Sequence, residues 1–269
     1  MTDPSTQPSV PAATILLLRD AGPMERRHLE VVMVERHRDI GFAGGALVFP
    51  GGRIDPTDRS PEWRSMASGL DSDALIAAGQ IAAIREAFEE VGVILARRRG
   101  AEEFLDAEAA TALADWRARS ERDDAAFLEM ATVEGLVLAC DALSLFAHWV
   151  PPAGLHKRFD TLFFIAAAPV GQTICQDGFE ATEAIWIRPA KAIEDGAAGR
   201  RKVIFPTARN LELLGLSAYT DEALIDARRR NIRRVQPRVL ERDGVSYLTI
   251  PDDLGYPVTE EPLETAMRG

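Results

Sequence analysis

Two hydrophobic periods alternate along this chain. Residues 13–18 and 29–35 are apolar, β-branched runs that predict strands, and residues 21–28, with Gly22-Pro23, predict the hairpin loop between them. Residues 41–45 read as a flexible stretch, 46–49 as a short strand, and Pro50-Gly51-Gly52 as a turn; residues 53–72 are polar and irregular. From about Ala74 to Val91 the period becomes helical, with Asp73 placed to cap the start and Gly92 the end. Residues 101–131, rich in Ala, Glu, Asp and Arg, predict more helix. Strands are expected at 143–149, 159–167 and 184–187. Pro189 opens a helix at its first position, Thr207 caps another running to Leu216, and Asp243-Gly244 joins 235–240 to 245–250 as a hairpin. This interleaving predicts an α/β (α+β) protein, a mixed sheet covered by helices.

Composition adds limits. The chain has 269 residues, 46% hydrophobic and 27% charged, which supports one sizeable core. We expect a single domain over 12–269 after a short disordered lead over 1–11. The longest apolar stretch, 133–150, is broken by Glu134, Asp141 and His148, so no run approaches the roughly 20 residues of a membrane span. The lead lacks the basic and apolar regions of a signal peptide, and the two cysteines, Cys140 and Cys175, lack metal-ligand spacing; buried free thiols in the cytoplasm are the expectation. A net charge of −11 excludes a general nucleic-acid binder. If such a protein handles a phosphate, it must supply positive charge locally, through metal ions or a few placed arginines.

The chemistry concentrates on one helix. Along Ile81 to Val93, IAAIREAFEEVGV, the residues Glu86, Glu89 and Glu90 share an arc of about 100 degrees. Ala77, Ile81, Ile84, Phe88 and Val91 lie opposite and predict a core-facing stripe. Arg85 precedes Glu89 by four residues, where an ion pair holds that side chain. Three carboxylates this close repel one another unless something neutralises them, and hard divalent cations such as Mg²⁺ or Mn²⁺ do so with oxygen ligands. Alone, a Glu-rich helix reads as a solvated face. Phe49-Pro50-Gly51-Gly52 changes that reading, because glycine lets backbone approach a metal or phosphate closely.

Gly52, followed by Arg85-Glu86-Ala87-Phe88-Glu89-Glu90-Val91-Gly92-Val93, resembles the Nudix box: Gly, five residues, Glu, seven residues, Arg-Glu-U-x-Glu-Glu-x-Gly-U, with U aliphatic. Here 32 residues separate Gly52 from Arg85, so the box carries an insertion, at about 59–77, expected to loop out from the helix. Asp58, six after Gly52, and Asp55 both compete for the place of the first glutamate. The resemblance implies a Nudix α/β/α sandwich with a helical insertion and a C-terminal extension at about 207–269. It also implies Mg²⁺ or Mn²⁺ on Glu86, Glu89 and Glu90, with a carbonyl of Gly51 or Gly52 completing a shell. The ions would neutralise a diphosphate and activate water for an in-line displacement. A later loop often supplies the base in this family, which makes Glu180 and Glu183 the candidates. Many members dimerise, so a homodimer is also implied.

An inserted box beginning FPGG is similar to the acyl-coenzyme A diphosphatase branch, as are His148-Trp149-Val150-Pro151, the RFDTLFF run from Arg158 to Phe164, and Pro206-Thr207 before a helix. That branch implies a small-molecule diphosphate substrate, coenzyme A or its thioester, cleaved to 3′,5′-ADP and 4′-phosphopantetheine. In the stretch before FPGG, Arg36 and Gly45 match a coenzyme A hydrolase pattern, whereas His37 and Gly41 depart from it. ADP-ribose or a nucleotide sugar is the alternative substrate, and a nucleotide-binding module without hydrolysis the alternative of another class. Arg36, Phe49, Gly51, Gly52, Arg158 and Asp160 are the substrate-binding candidates, Asp160 as a partner for Arg158. Residues 97–99 are expected to complement a helix end, and Arg228–Arg230 with Arg233-Arg234 to form a solvated face.

Overall fold

The computed structural model describes residues 9–37, 43–151, 158–176 and 181–266. The chain opens with β1 (Val10–Ala21), β2 (His28–Arg36), β3 (Leu47–Val48) and β4 (Gly51–Arg53). Two 3₁₀ turns and β5 (Ala67–Ser68) lead to α1 (Ala74–Val91). There follow β6 (Ala96–Arg98), α2 (Ala107–Thr111), α3 (Ala114–Ser120), α4 (Ala126–Val133) and β7 (Leu136–Ala139). The sheet resumes with β8 (Ser144–Trp149), β9 (Phe159–Ala167) and β10 (Ala181–Ile187), and α5 (Pro189–Ala197), α6 (Phe205–Leu214) and α7 (Thr220–Arg229) come next. The chain closes with β11 (Arg234–Val235), β12 (Arg238–Arg242), β13 (Val245–Thr249), β14 (Glu260–Pro262) and α8 (Leu263–Ala266).

The main sheet runs β10-β2-β1-β9-β8-β11, with β3 on β2 and β4 on β1. It is mixed: β1 pairs parallel with β9 and antiparallel with β2 and β4. Alternation along β1 divides the interior in two. Ala13, Ile15 and Leu17 enter one core with α1 and α4, and Leu16 and Leu18 enter another with α5, α6 and α7. The result is an α/β/α sandwich.

α1 has the bounds that its signals set. The Asp73 carboxylate accepts from the amides of Leu75 (2.8 Å) and Ile76 (3.0 Å), and Gly92 closes the helix in the left-handed region, φ 72°. Gly79 lets it lie close to β9, because a Cβ there would stand 2.8 Å from Leu162 Cδ1.

Several expectations change. Gly51 and Gly52 form a strand on β1, since their backbone groups pair with it. β1 begins at Val10, inside the expected disordered lead, and the rest of that lead, Met1–Pro8, lies outside the described residues. The residues expected to be helical over 101–131 form three helices, α2, α3 and α4, each too short to stand without tertiary packing. α6 starts at Phe205 after an Ile204 N-cap, with Pro206 in its first turn, so Thr207 lies inside the helix and does not cap it. Cys175 is exposed; only Cys140 is buried. Of residues 97–99, Arg97 lies on β6 and pairs with Asp141 at 2.7 Å, while Arg98 donates to the carbonyl of Glu134, the C-cap of α4, at 2.5 Å. The Asp243-Gly244 hairpin forms with both residues at positive φ, 52° and 77°.

The insertion does not loop out. Trp63 and Met66 are buried in the α1 core, Trp63 stacking at a tilt on Phe127 of α4 with centroids 5.7 Å apart. β5 pairs with β7, which also pairs with β6, and Gln80 of α1 accepts from the Asp71 amide at 2.9 Å. Apolar side chains in the insertion gain more by burial than a free loop gains in entropy. Trp63→Ala should cost about 3–5 kcal/mol of stability, as for other buried Trp truncations. Guanidinium unfolding tests this, and a loss below about 1 kcal/mol, typical of surface positions, would show the segment to be peripheral.

Candidate active site

α1 is buried on both faces. Besides its apolar stripe, Arg85, Glu86 and Glu90 are all at least nine-tenths buried, which rules out the solvated-face reading for Glu86 and Glu90. Burial of this much charge requires compensation.

Arg85 supplies it. All five guanidinium hydrogen-bond donors are used. Nε donates to Asp58 Oδ1 (3.0 Å), and Nη2 to Asp58 Oδ2 (2.9 Å) and the Arg53 carbonyl (2.8 Å). Nη1 donates to Glu86 Oε1 (2.8 Å) and Glu89 Oε2 (2.9 Å). The Arg85–Glu89 pair expected at four-residue spacing therefore forms. The planar fork that Asp58 receives settles the competition: Asp58 takes the Arg85 side of the box, and Asp55 is a more distant partner at 3.3 Å.

The glycine strand lies against the same face. The Gly51 amide donates to Glu90 Oε2 at 3.1 Å, and a Cβ on Gly52 would stand 2.4 Å from Glu86 Oε1. Glycine is required because the carboxylate occupies the space a side chain would take. Burial pushes the Glu86 carboxyl up to about 8; Arg85 opposes the shift and Glu89 adds to it. Burial likewise raises Glu89 against the pull of Arg85. Burial alone would depress the Arg85 guanidinium, but Glu86, Asp58 and Glu89 more than reverse this.

Among the described residues, no group of three or more acidic, histidine or cysteine side chains is placed to hold a metal ion. Arg85 draws Glu86 and Glu89 onto its own Nη1, and Glu90 turns to the Gly51 amide. The donors present are all carboxylate oxygens, which suits a hard divalent cation. Glu86, whose charge is penalised by burial, is the group such a cation would relieve.

The other predicted residues sit elsewhere. Phe49 packs in the second core, edge-on to Phe163 with centroids 6.4 Å apart. Arg36 ends β2 opposite Ala181 of β10. Arg158 Nε donates to the Pro151 carbonyl at 3.3 Å. Asp160 is held by His148 Nε2 on one oxygen and by Arg234 at 2.8 Å on the other, partners that sequence reasoning missed because they lie on other strands. Arg234 nonetheless stays exposed, as do Arg228, Arg229 and Arg233, so these four form the solvated face expected. Arg230 departs from it: half-buried, it lies over the Phe146 ring. Glu183 stands opposite Glu35, and Arg201 bridges the two at 2.7 and 2.9 Å. Glu180 and Gly41 lie outside the described residues. Two residues of α3 reach the site without any motif signal: Ser120 donates to Glu89 Oε1, and Arg117 Nε to the Glu89 carbonyl at 2.9 Å.

A sandwich whose buried helix carries Arg-Glu-x-x-Glu-Glu against a Gly-Gly strand is the arrangement of a Nudix hydrolase. A crystallised NUDIX hydrolase from Alicyclobacillus acidocaldarius shares the fold, with a TM-score of 0.69 at 24% identity over 82% of this chain and 97% of that one. The family described as the NUDT19 Nudix domain matches residues 68–207, just over half of the chain. The acyl-coenzyme A diphosphatase NUDT19 of Xenopus laevis is 27% identical across 87% of this chain and 72% of its own length. Its Gallus gallus counterpart is 30% identical across 68% and 62%. The chain belongs to the NUDT19 branch of the Nudix family and is a Nudix pyrophosphohydrolase.

Gly52→Ala should displace the Glu86 carboxylate and lower kcat by about 10- to 100-fold, the usual scale for disturbing a ligand's support. Circular dichroism should be unchanged; wild-type turnover by the variant would show that the close approach has no catalytic consequence.

Proposed function

We propose that this enzyme hydrolyses the diphosphate of coenzyme A or an acyl-coenzyme A, releasing 3′,5′-ADP and (acyl-)4′-phosphopantetheine. The observation that carries the substrate class is the match to the NUDT19 domain, together with relatives named acyl-coenzyme A diphosphatases. The site geometry supports the reaction class: buried carboxylates ordered by one arginine against a backbone strand.

Glu86, Glu89 and Glu90 would hold Mg²⁺ or Mn²⁺, with a carbonyl of Gly51 or Gly52 beside them. A bound cation would supply positive charge to the diphosphate and Lewis acidity toward the attacking water. The chain's own residues do the rest. Arg85 sets the Glu86 and Glu89 rotamers before substrate arrives, so little reorganisation is left for the reaction step. Burial of Glu86 keeps bulk water from screening the site. Arg36 and Arg158 are proposed to grip phosphate oxygens, and Glu183 or Glu180 to accept the proton of the water. Among the described residues no helix is long and apolar enough to cross a membrane.

A panel of coenzyme A, acyl-coenzyme A, ADP-ribose and nucleotide sugars, each with Mg²⁺ or Mn²⁺, tests the proposal. We expect turnover of the coenzyme A compounds to exceed the others, and Glu89→Gln to lower it by at least about 100-fold, roughly what a group acting mainly in the transition state contributes. Cleavage of ADP-ribose without cleavage of coenzyme A thioesters would replace the substrate reading. An active Glu89→Gln variant would overturn the metal reading.

A further inference from the structure

We infer that Ser120, on α3 and outside the Nudix box, is a positioning residue for Glu89, so that the helical segment is part of the catalytic apparatus. This rests on the reading above, in which Glu89 carries a divalent cation.

The inference starts from an anomaly of burial. α3 is a short surface helix whose other residues are all at least partly exposed, yet Ser120 at its end is buried. A helical serine usually turns its hydroxyl to its own backbone or to water. Ser120 Oγ instead donates to Glu89 Oε1, a carboxylate 31 positions earlier in the chain. Arg85 takes the other oxygen, Oε2, at 2.9 Å. Each carboxylate oxygen thus has its own donor.

A second contact from the same helix fixes the backbone beneath it. Arg117 Nε donates to the Glu89 carbonyl at 2.9 Å, and Arg117 Nη2 to the Cys175 carbonyl at 2.8 Å. Glu89 is near the C-terminus of α1, where carbonyls lack helical partners, so the guanidinium satisfies one of them. Gly92, the helix C-cap, gives this arginine room: a Cβ there would stand 3.0 Å from Arg117 Nη1. Main chain and side chain of one acid are thus held by one helix.

The two other acids are ordered from within the box, Glu86 by Arg85 and Glu90 by Gly51. Glu89 takes a donor from the helical segment as well. The hydroxyl suits this task because it is neutral and compact. It occupies one lone pair of Oε1, leaves others for a cation, and adds no charge to compete with one. Partners that orient a metal ligand typically contribute 10- to 100-fold to metal affinity or activity.

The test is Mn²⁺ binding to the full chain, followed by electron paramagnetic resonance, beside kcat and KM for coenzyme A. Ser120→Ala should weaken Mn²⁺ by about tenfold and lower kcat by about 10- to 100-fold, with KM within about threefold of wild type. Ser120→Thr, which keeps the hydroxyl, should recover most of both. A Ser120→Ala protein that binds Mn²⁺ like wild type, whatever its unfolding temperature, overturns the inference and leaves the metal reading intact. Wild-type protein that binds no Mn²⁺ overturns both. Equal loss in Ser120→Ala and Ser120→Thr would assign the effect to packing and also overturn it.

Discussion

The structure of this site depends on one cation. Arg85 ties together Asp58 from before the insertion, the Arg53 carbonyl on β4, and Glu86 and Glu89 on α1. Without it, the buried carboxylates of Asp58 and Glu86 and the partly buried Glu89 would face one another, and removing one partner from such an array typically costs about 3–5 kcal/mol. Arginine suits the position because its fork receives Asp58 with two donors while the remaining donors reach three more acceptors; lysine has no such planar geometry. The array still carries more negative than positive charge. Burial, opposed by Arg85 and helped by Glu89, raises the Glu86 carboxyl, and an enzyme that recruits divalent cations can put that to use.

The same clamp explains how a long insertion is tolerated. Asp58 precedes it and Arg85 follows it on α1, and their ion pair ties the two flanks together. The interior of the insertion then contributes apolar surface, through Trp63 and Met66, to the core under α1. α4 supplies the facing ring, Phe127, which touches both Trp63 and Phe88 of α1. Insertion and helical segment therefore form one layer over the catalytic helix. The opposite face has its own buried polar chain: Trp149 donates to the Tyr256 hydroxyl, which donates to Asn210. This anchors the C-terminal extension to α6, and burial raises the Tyr256 hydroxyl to about 12, so it stays a donor.

What the sequence revealed followed the range of the forces involved. α1 was readable to the residue because Asp73 and Gly92 act on their immediate neighbours. The Asp243-Gly244 hairpin was readable for the same reason. The grouping of Glu86, Glu89 and Glu90 needed only helical geometry, and the pairing of Arg85 with Glu89 only a four-residue spacing. By contrast, nothing local distinguishes Asp58 from Asp55, since both are acids in a polar turn. Their roles diverge only when α1 brings Arg85 alongside. Asp160 looked like a partner for its near neighbour Arg158, yet strand pairing carries it to His148 and Arg234. The insertion looked like a loop because its few apolar residues are spaced irregularly among polar ones. Their burial depends on α4, a segment more than 60 residues away in sequence.

Covering a catalytic helix has a chemical consequence. A carboxylate on an open helix is hydrated, mobile and screened, and it binds a divalent cation only after giving up that water. Burying the acids transfers this cost to folding, where the hydrophobic layer around Trp63, Phe88 and Phe127 offsets it. The arrangement works only if each acid keeps a donor until a cation arrives. Asp58 and Glu89 have donors on both oxygens, Glu86 accepts from Arg85, and Glu90 accepts from the Gly51 amide. Arg85, Gly51 and Ser120 come from three different parts of the chain, so the order of the acids is a property of the whole fold. The box motif alone, placed on an uncovered helix, would keep the residues and lose the dry, ordered site they create.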